Sequence, residues 1–459
     1  MPSLGAYALI FGVSVAVTAV ACGPAAWISK KIGYVALPAE RRIHTKTTPY
    51  GGGPAMFVGF CAAMLVAALL HPLHSVFIAS SEPLGVLLGA GAIFGVGLID
   101  DAREMSAPAK IAGQVLAASI LYFLGVTLFW IKVPFGGILS HWFNMPLAGY
   151  VSLTPSITPL IMALWVIAIA NAVNFIDGLD GLAAGIIAIG GGALAIYGLR
   201  LMAMGVLTHT NIGPLVAVIA CGICVGFLPF NFHPARMFMG DAGALLLGLL
   251  MSASTMVIGG RIPPSSPTTG ATYFFFAPLL IPFFILGVPL VDMAFAFVRR
   301  TARGTGFHKP DKDHIHHRLL RLGHGHRRSV VILWAWTAIL SGFILFPLFV
   351  HAVNPFIPLG VALLAVALFT WFHPEVRHRA DAAADVAAVA LPSNGDPVPP
   401  ARDRPARDRP ARDQATGSPR NGSAGHGPGR NGRGGEGPAG AATGRPPAER
   451  FADGGEQAR

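Results

Sequence analysis

The stretch NAVNFIDGLDGLAAG, residues 171–185, follows an apolar run and carries four side chains that could bind a cation or a phosphate. These four residues form the polar stripe, and they recur every third position as Asn171, Asn174, Asp177 and Asp180. Residues three apart on a helix share one slowly drifting face. Because carboxylates beside an apolar segment are costly, the stripe predicts a functional site. Helix capping by Asp180 is the alternative, but capping alone does not explain four polar residues on one face.

Three further carboxylates lie at the ends of other apolar runs. Asp100 and Asp101 are adjacent, and neighbouring carboxylates repel each other unless a cation or a shared proton relieves them. A solvated acidic pair at a helix end is the alternative interpretation. Asp241 follows the aromatic-rich motif FNFHPARMFMG. Carboxylate and amide oxygens without cysteine ligands favour a hard cation, Mg²⁺ or Mn²⁺, over zinc.

A basic, histidine-rich segment, HKPDKDHIHHRLLRLGHGHRR, occupies residues 308–328. Its histidines lack the H-E-x-x-H spacing, and no cysteine lies nearby, so the segment does not predict a zinc site. Interleaved arginines and lysines suit an anion, because arginine makes bidentate phosphate contacts. A positive-inside topogenic loop is the alternative, which explains the charge but not the number of histidines. Together, an acidic metal site and a basic anion clamp suggest diphosphate chemistry.

The elements that must position these residues are membrane helices. The chain is 53% hydrophobic and only 12% charged, whereas soluble domains carry about 25% charged residues. We count about eleven apolar runs of spanning length. Because lipid offers the backbone no hydrogen bonds, and these runs do not alternate as barrel strands do, they predict an all-α bundle. The runs lie near residues 4–28, 53–70, 84–99, 111–130, 158–177, 182–200, 212–230, 242–259, 272–298, 330–350 and 355–372.

The distribution of lysine and arginine predicts the orientation of the bundle. With the N-terminus outside, the cytoplasmic loops hold about 17 basic residues and the opposite loops about three. Every polar motif described above falls on the cytoplasmic side. The membrane therefore explains the formal charge of +11 better than binding to nucleic acid does, because basic loops face the anionic inner leaflet.

The composition divides the chain into two parts. Residues 1–372 are predicted to form the transmembrane domain. Residues 373–459 are rich in proline, glycine, arginine and aspartate and contain the short repeat PARDRPARDRPARD. Such a segment buries too little apolar surface to offset its ordering entropy. The sequence thus predicts an all-α, polytopic membrane protein with about eleven transmembrane helices, an outside N-terminus and a disordered cytoplasmic C-terminal tail.

Four motifs together resemble the signatures of the polyprenyl-phosphate N-acetylhexosamine-1-phosphate transferases. They are DD, NAVNFIDGLDGLA, FNFHPARMFMGD and PDKDHIHHRLL, in the family order. The resemblance implies a bundle of ten or eleven helices in the bacterial cell membrane, with the active site facing the cytoplasm. It also implies Mg²⁺-dependent transfer of a sugar-1-phosphate from a UDP-sugar to a polyprenyl phosphate, undecaprenyl or decaprenyl, with release of UMP. Mn²⁺ as the cofactor and a homodimer are left open.

The resemblance also bears on the donor sugar. Family members that take UDP-MurNAc-pentapeptide typically have three consecutive histidines in the last large cytoplasmic loop, whereas this chain has HIHHRLL. The chain therefore resembles the branch that takes UDP-GlcNAc and begins the synthesis of a cell-envelope polysaccharide. UDP-MurNAc-pentapeptide and UDP-GalNAc are the alternative donors.

Site residues follow from the resemblance, position by position. The implied metal ligands are Asn174 and Asp241. The implied catalytic residues are Asp100, Asp101, Asp177 and His316. The implied substrate-binding residues are Lys46, Asn171, Asp180, Phe238, His314, His317 and Arg318. Among them, Phe238 would stack on uracil and Lys46 would lie near the nucleotide. Direct attack of the lipid phosphate and a covalent aspartyl-phosphate are both compatible with these residues.

Two other functional classes compete with the enzyme. A lipid-linked sugar transporter would need polar residues near the bilayer midplane, whereas the motifs gather at one face. A non-catalytic scaffold would tolerate the loss of Asp241. The joint occurrence of the motifs favours the enzyme.

Overall fold

The computed structural model describes residues 3–36, 47–103, 105–132, 150–262, 326–350 and 360–361. All of them belong to one unit that spans Met1–Pro392. The predicted tail, the predicted span at 272–298 and most of that at 355–372 lie outside these residues. So do five predicted site residues: Lys46, His314, His316, His317 and Arg318.

The described residues are mostly helical, as the apolar runs predict. The helices are α1 (Leu4–Lys31), α2 (Gly52–Leu69), α3 (His74–Ile78), α4 (Glu82–Arg103), α5 (Ala107–Phe123), α6 (Thr158–Ile176), α7 (Leu182–Ala203), α8 (Gly213–Asn231), α9 (Gly240–Gly259) and α10 (His326–Phe349), with a 3₁₀ turn at His71–Leu73. Proline stands in the first turn of α5, α6 and α8, where its missing N–H leaves no helical hydrogen bond unmade.

Seven of these helices are long and apolar enough to cross a membrane: α1, α2, α4, α6, α7, α8 and α9. A polytopic membrane protein is therefore confirmed. Helix α10 coincides with the predicted run at 330–350. A total of eleven spans, the outside N-terminus and the disordered tail stay predictions.

The predicted helix at 111–130 is wrong at its C-terminal end, because α5 ends at Phe123. Gly125 turns the chain there with φ of +88°, a conformation that glycine adopts without strain. The next residues are β-branched and aromatic and favour an extended chain. They lead into β3 (Trp130–Lys132), which pairs antiparallel with β4 (Tyr150–Ser152). A second short pair joins β1 (Val35–Ala36) to β2 (Thr48–Pro49), so the fold is not strictly all-α.

Helix α9 lies at the centre of the described bundle and packs against α2, α4, α6, α7 and α8. In the most apolar 18-residue segment of α9, 94% of the residues are buried, whereas in that of α1 only 28% are buried. Two glycines allow α9 to approach α6 and α4 closely. A Cβ on Gly248 of α9 would lie 2.4 Å from Cα of Ala170 in α6. A Cβ on Gly97 of α4 would lie 2.4 Å from Cα of Ala242 in α9. These contacts bring the polar ends of α4, α6 and α9 together.

Polar contacts fix α4 and α9 to each other at both ends of this helix pair. At one end Arg261, just after α9, donates to Oε1 of Glu82 at 2.8 Å. The same guanidinium donates to the carbonyls of Gly125 and Thr127. About 30 Å away, at a rise of 1.5 Å per residue, the carboxylates of Asp100 and Asp101 meet the start of α9. This second end is the polar end of the bundle.

Candidate active site

A charged cluster at the polar end brings together side chains from four helices. Asn174, in the last turn of α6, donates from Nδ2 to Oδ1 of Asp241 at 2.8 Å. Lys110, in the first turn of α5, contacts Oδ2 of Asp241. The same ammonium nitrogen lies 2.7 Å from Oδ2 of Asp100 in α4. A single cation therefore bridges two carboxylates that come from different helices.

The adjacent acids Asp100 and Asp101 have different partners. Asp101 accepts hydrogen bonds from the backbone N–H groups of Asp241, at 2.8 Å, and Ala242, at 3.0 Å. These N–H groups have no partner within α9, so Asp101 caps that helix from outside. Asp100 accepts from the backbone N–H of Met105 at 2.7 Å and pairs with Lys110. The solvated-pair interpretation is wrong, because each carboxylate has protein donors.

The polar stripe does not lie on one helical face as predicted, because α6 ends at Ile176. Asn171 and Asn174 lie on the helix, Asp177 follows its end, and Asp180 lies in the turn beyond. Asn171 is turned toward α5, where its Nδ2 donates to Oε1 of Gln114 at 2.8 Å. The structure therefore places Asn174 in the charged cluster and Asn171 in a separate amide pair.

Asp177 as a whole is partly exposed, whereas its carboxyl group is buried. Burial raises the pKa of this carboxyl well above its ordinary value, and nearby carboxylates add to the effect: Asp241, Asp101 and Asp180. A carboxyl with a raised pKa holds its proton and can donate a hydrogen bond.

Asp180 faces the connection between α8 and α9. Its Oδ2 lies 2.7 Å from Nδ1 of His233 and accepts from the backbone N–H of Ala235 at 3.1 Å. The N-cap of α7 is Gly181 and not Asp180, and this glycine has no side chain that could cap the helix. The capping interpretation of Asp180 is therefore wrong. Instead, Asn231 accepts from the N–H of Gly181 at 2.9 Å and orders this turn.

Phe238, three residues before Asp241 in the chain, is half-buried. Its backbone N–H donates to the carbonyl of Pro49, and its carbonyl accepts from the N–H of Gly52, both at 3.0 Å. Its ring centroid lies 6.0 Å from that of Tyr50, which lies 5.5 Å from that of Tyr34. Burial and then the charge of Asp101 raise the pKa of Tyr34. This aromatic wall offers a surface on which a planar base could stack.

Sequence reasoning missed several residues that the structure brings into or beside the site. Lys110 stands in LIDDAREMSAPAK, where a lysine opening an apolar run could have been recognised as a candidate. Asn231 and His233 lie inside a motif that was recognised, but nothing in the sequence indicates their partners. Gln114 carries no signal beyond being an amide inside an apolar run.

The donor set at the charged cluster suits a hard dication. Two carboxylates contact one ammonium group, so the position already stabilises positive charge, and the amide of Asn174 contacts one of these carboxylates. Carboxylate and amide oxygens are ligands that Mg²⁺ prefers in proteins. The residues that could hold the ion are Asp241, Asn174 and Asp100.

Comparisons with known proteins agree with this chemistry. The family described as glycosyl transferase family 4 matches residues 83–259, a range that contains every residue of the charged cluster. A decaprenyl-phosphate N-acetylglucosaminephosphotransferase of Mycobacterium tuberculosis is 36% identical over 331 residues, which cover 71% of this chain and 78% of the relative. A probable undecaprenyl-phosphate N-acetylglucosaminyl 1-phosphate transferase of Bacillus subtilis is 34% identical, covering 69% and 76%.

A relative with a different name matches over a shorter length. A phospho-N-acetylmuramoyl-pentapeptide-transferase of Desulforudis audaxviator is 35% identical over 239 residues, which cover 47% of this chain and 64% of the relative. The family expected from the motifs is confirmed by the longer matches. Their identity and coverage place this chain in glycosyl transferase family 4, together with the polyprenyl-phosphate N-acetylglucosamine phosphotransferases among its relatives.

Proposed function

We propose that this protein transfers GlcNAc-1-phosphate from UDP-GlcNAc to a polyprenyl phosphate and releases UMP. The observation that carries the proposal is the charged cluster of Asp100, Lys110, Asn174 and Asp241 at one end of an apolar bundle. There, a water-soluble nucleotide sugar and a lipid-borne phosphate can both reach the same carboxylates. The names of the longer-matching relatives support both the sugar and the acceptor.

The reaction forms one phosphorus–oxygen bond and breaks another. An oxygen of the lipid phosphate attacks the β-phosphorus of the donor, and the bond to the oxygen of UMP breaks. The products are UMP and a polyprenyl-diphosphate-linked GlcNAc. Asp100, which lies beside the ammonium of Lys110, is our candidate to accept the proton from the lipid phosphate.

Cationic and neutral donors of this chain would bind the substrate phosphates. The ammonium of Lys110 has three N–H donors, two of which face Asp100 and Asp241, so a third can reach a phosphate oxygen. Asp177, with its raised pKa, would donate a hydrogen bond rather than act as a base. Phe238 would stack on uracil from the aromatic wall.

We further propose that the charged cluster holds Mg²⁺, or Mn²⁺ in its place, through Asp241 and Asn174 with Asp100 nearby. When bound, the ion would neutralise the diphosphate and polarise the phosphorus under attack. Asp101 holds the first N–H groups of α9 and would thereby keep Asp241 oriented toward the ion.

The orientation of the protein is part of the same proposal. The basic loops counted in the sequence favour an orientation with the polar end on the cytoplasmic side of the cell membrane. UDP-sugars are cytosolic substrates, so this orientation gives them access to the charged cluster.

The proposal is tested by incubating the purified full chain with undecaprenyl or decaprenyl phosphate, Mg²⁺ and one donor at a time. The donors are UDP-GlcNAc, UDP-GalNAc and UDP-MurNAc-pentapeptide, and release of UMP is measured. We expect preferential turnover of UDP-GlcNAc. Faster turnover of the pentapeptide donor would refute the donor assignment, and no UMP release from any donor by folded protein would refute the transferase.

Asp241→Asn tests the metal ligand. Asparagine keeps the volume and one oxygen but loses the charge on which a hard dication depends. We expect the rate of UMP release to fall on the order of a thousandfold or more, since each 1.36 kcal/mol of barrier is a factor of ten. Glu82→Gln, at the opposite end of α4, is the control: it weakens the ion pair with Arg261 without touching the charged cluster.

Thermal unfolding of both variants separates chemistry from folding. Asp241→Asn should lose its rate while remaining folded, and Glu82→Gln should lose stability while its folded fraction remains active. A near wild-type rate and Mg²⁺ dependence in Asp241→Asn would show that Asp241 is not the ligand.

A further inference from the structure

A second cluster of metal-ligating side chains lies apart from Lys110 and Asp241. It consists of Asp180, His233 and His326, and we call it the histidine cluster. One ligand atom from each residue lies within 4.8 Å of the other two. The three residues come from three places in the chain: the turn after α6, the connection between α8 and α9, and the first residue of α10.

The histidine cluster is largely enclosed by protein. The residues Asp180 and His326 are 4% and 9% exposed, and the side chain of His233 is 34% exposed, which leaves an entrance from solvent. The two imidazole rings stack with their centroids 4.1 Å apart and their planes 18° apart. Nδ1 of His233 lies 2.7 Å from Oδ2 of Asp180. The carboxylate supplies the negative charge that a buried cation needs.

The spacing of these atoms matches what a transition metal requires. A tetrahedral Zn²⁺ with bonds of about 2.0–2.1 Å holds its ligand atoms about 3.3 Å apart. Nδ1 of His233 and Oδ2 of Asp180 form a hydrogen-bonded pair 2.7 Å apart, and one ligand atom from each of the three residues lies within 4.8 Å of the others. Small rotations of side chains would therefore bring all three to bonding distance. Two imidazole nitrogens and one carboxylate oxygen favour a borderline dication over Mg²⁺, which prefers oxygen ligands alone.

We propose that the histidine cluster is a binding site for a first-row transition-metal dication, with Zn²⁺ the ion that its donors fit best. The ion would join the start of α10 to the connections that follow α6 and α8. Residues 260–325 separate α9 from α10 in the chain. An ion that binds only the folded state would offset part of the entropy cost of closing so long a segment. Its role would be to hold α10 in place beside Asp180, which the resemblance implies in substrate binding, while the proposed chemistry takes place at Asp241.

The test uses the full chain, purified in detergent and stripped of metal with a chelator. Zn²⁺ binding is measured by equilibrium dialysis, Co²⁺ binding by its visible absorption, and unfolding temperature with and without Zn²⁺. The variants are His233→Gln and His326→Gln, each of which removes one ligand. His209→Gln, an exposed histidine at the opposite end of α7, is the control.

We expect the wild type to have a Zn²⁺ site whose affinity falls by about 100-fold or more in His233→Gln and in His326→Gln. Zn²⁺ should raise the unfolding temperature of the wild type and of His209→Gln but not that of the two ligand variants. Histidines in residues 308–325 could bind Zn²⁺ as well, but that binding would survive His233→Gln. Unchanged Zn²⁺ binding and stabilisation in both ligand variants would overturn the proposal and leave a metal-free, hydrogen-bonded cluster.

The outcome is independent of the transferase activity. Asp241→Asn should retain the Zn²⁺ site, since Asp241 belongs to the other cluster. Loss of Zn²⁺ binding in Asp241→Asn would place the ion at the charged cluster and refute a second site, whatever the rate of UMP release.

Discussion

Replacing Lys110 with methionine removes the ammonium group that contacts both Asp100 and Asp241. Methionine keeps the length and apolar stem of the side chain, so the packing of α5 changes little. The two carboxylates then face each other without a cation between them. We expect the variant to be less stable than the wild type in the absence of Mg²⁺ and to recover most of that stability when Mg²⁺ is added.

The magnitude follows from the number and exposure of the contacts. A hydrogen bond to a charged group contributes about 1.5–3 kcal/mol, and Lys110 makes two. Its side chain is 17% exposed and those of Asp100 and Asp241 are 12% and 31% exposed, so solvent screens part of the interaction. We therefore take the lower limit, about 3 kcal/mol for the pair of contacts. At about 2 °C per kcal/mol, the unfolding temperature should fall by about 6 °C.

Mg²⁺ should offset this loss. A ligand present at 100 times its dissociation constant stabilises the folded state by about 2.7 kcal/mol, which is close to the expected deficit. In the wild type the same ion must compete with the ammonium for Asp241, so its stabilising effect should be smaller.

The measurement is thermal unfolding of both proteins across a Mg²⁺ titration. Lys30→Met is the control, because Lys30 is exposed at the end of α1 and should change neither the unfolding temperature nor its response to Mg²⁺. The reasoning is refuted if Lys110→Met is as stable as the wild type without Mg²⁺, or if Mg²⁺ stabilises both proteins equally.

Two further substitutions test the groups around Asp241. Gly240 has φ of +67°, and an added Cβ would lie 2.5 Å from Oδ2 of Asp101, so Gly240→Ala should lose at least about 2 kcal/mol of stability in chemical denaturation. Gly205→Ala has similar strain at φ of +73° but open space and should lose only about 1 kcal/mol; equal losses would argue against the contact with Asp101. Because the pKa of Asp177 is raised, its carboxyl holds a proton in the native state at pH values where the unfolded chain releases it. The stability of the native state therefore falls as the pH rises from 3.8 to the native pKa, and it stays lower above that pKa. Asp177→Asn should therefore unfold at a higher temperature than the wild type at pH 7–8, with the difference shrinking toward pH 4; a difference that does not change with pH would contradict the raised pKa.

The sequence predicts the helices well because their signal is local. A run of about 20 apolar residues forms a spanning helix whatever it packs against, so α6 at Thr158–Ile176 lies within a residue of its predicted bounds. The prediction for α5 fails where apolar residues continue past Gly125, since composition alone does not separate a helix from a β-branched extended segment.

The site is predictable only in part, because its contacts join different helices. Asp100, Asn174 and Asp241 could be expected to meet, since each ends or begins an apolar run on the same side. Asp100 pairs with Lys110, whereas Asp101 accepts from the start of α9. Which of the two adjacent carboxylates meets which partner depends on how α4 and α9 are rotated against each other. That rotation is set by close packing at Gly97, which no pattern in either helix reveals.

The near-complete burial of α9 separates the proposed chemistry from the bilayer. Changes in lipid length or order act on helices that touch lipid, through hydrophobic mismatch and tilt. Among the seven long apolar helices of the described residues, α1 has the least buried apolar segment. It would therefore respond first to such changes in the lipid. Asp241, at the start of α9, would then keep its position as membrane thickness varies. Part of the site can in this way remain rigid, while the mobile prenyl chain of a lipid substrate moves in the surrounding bilayer.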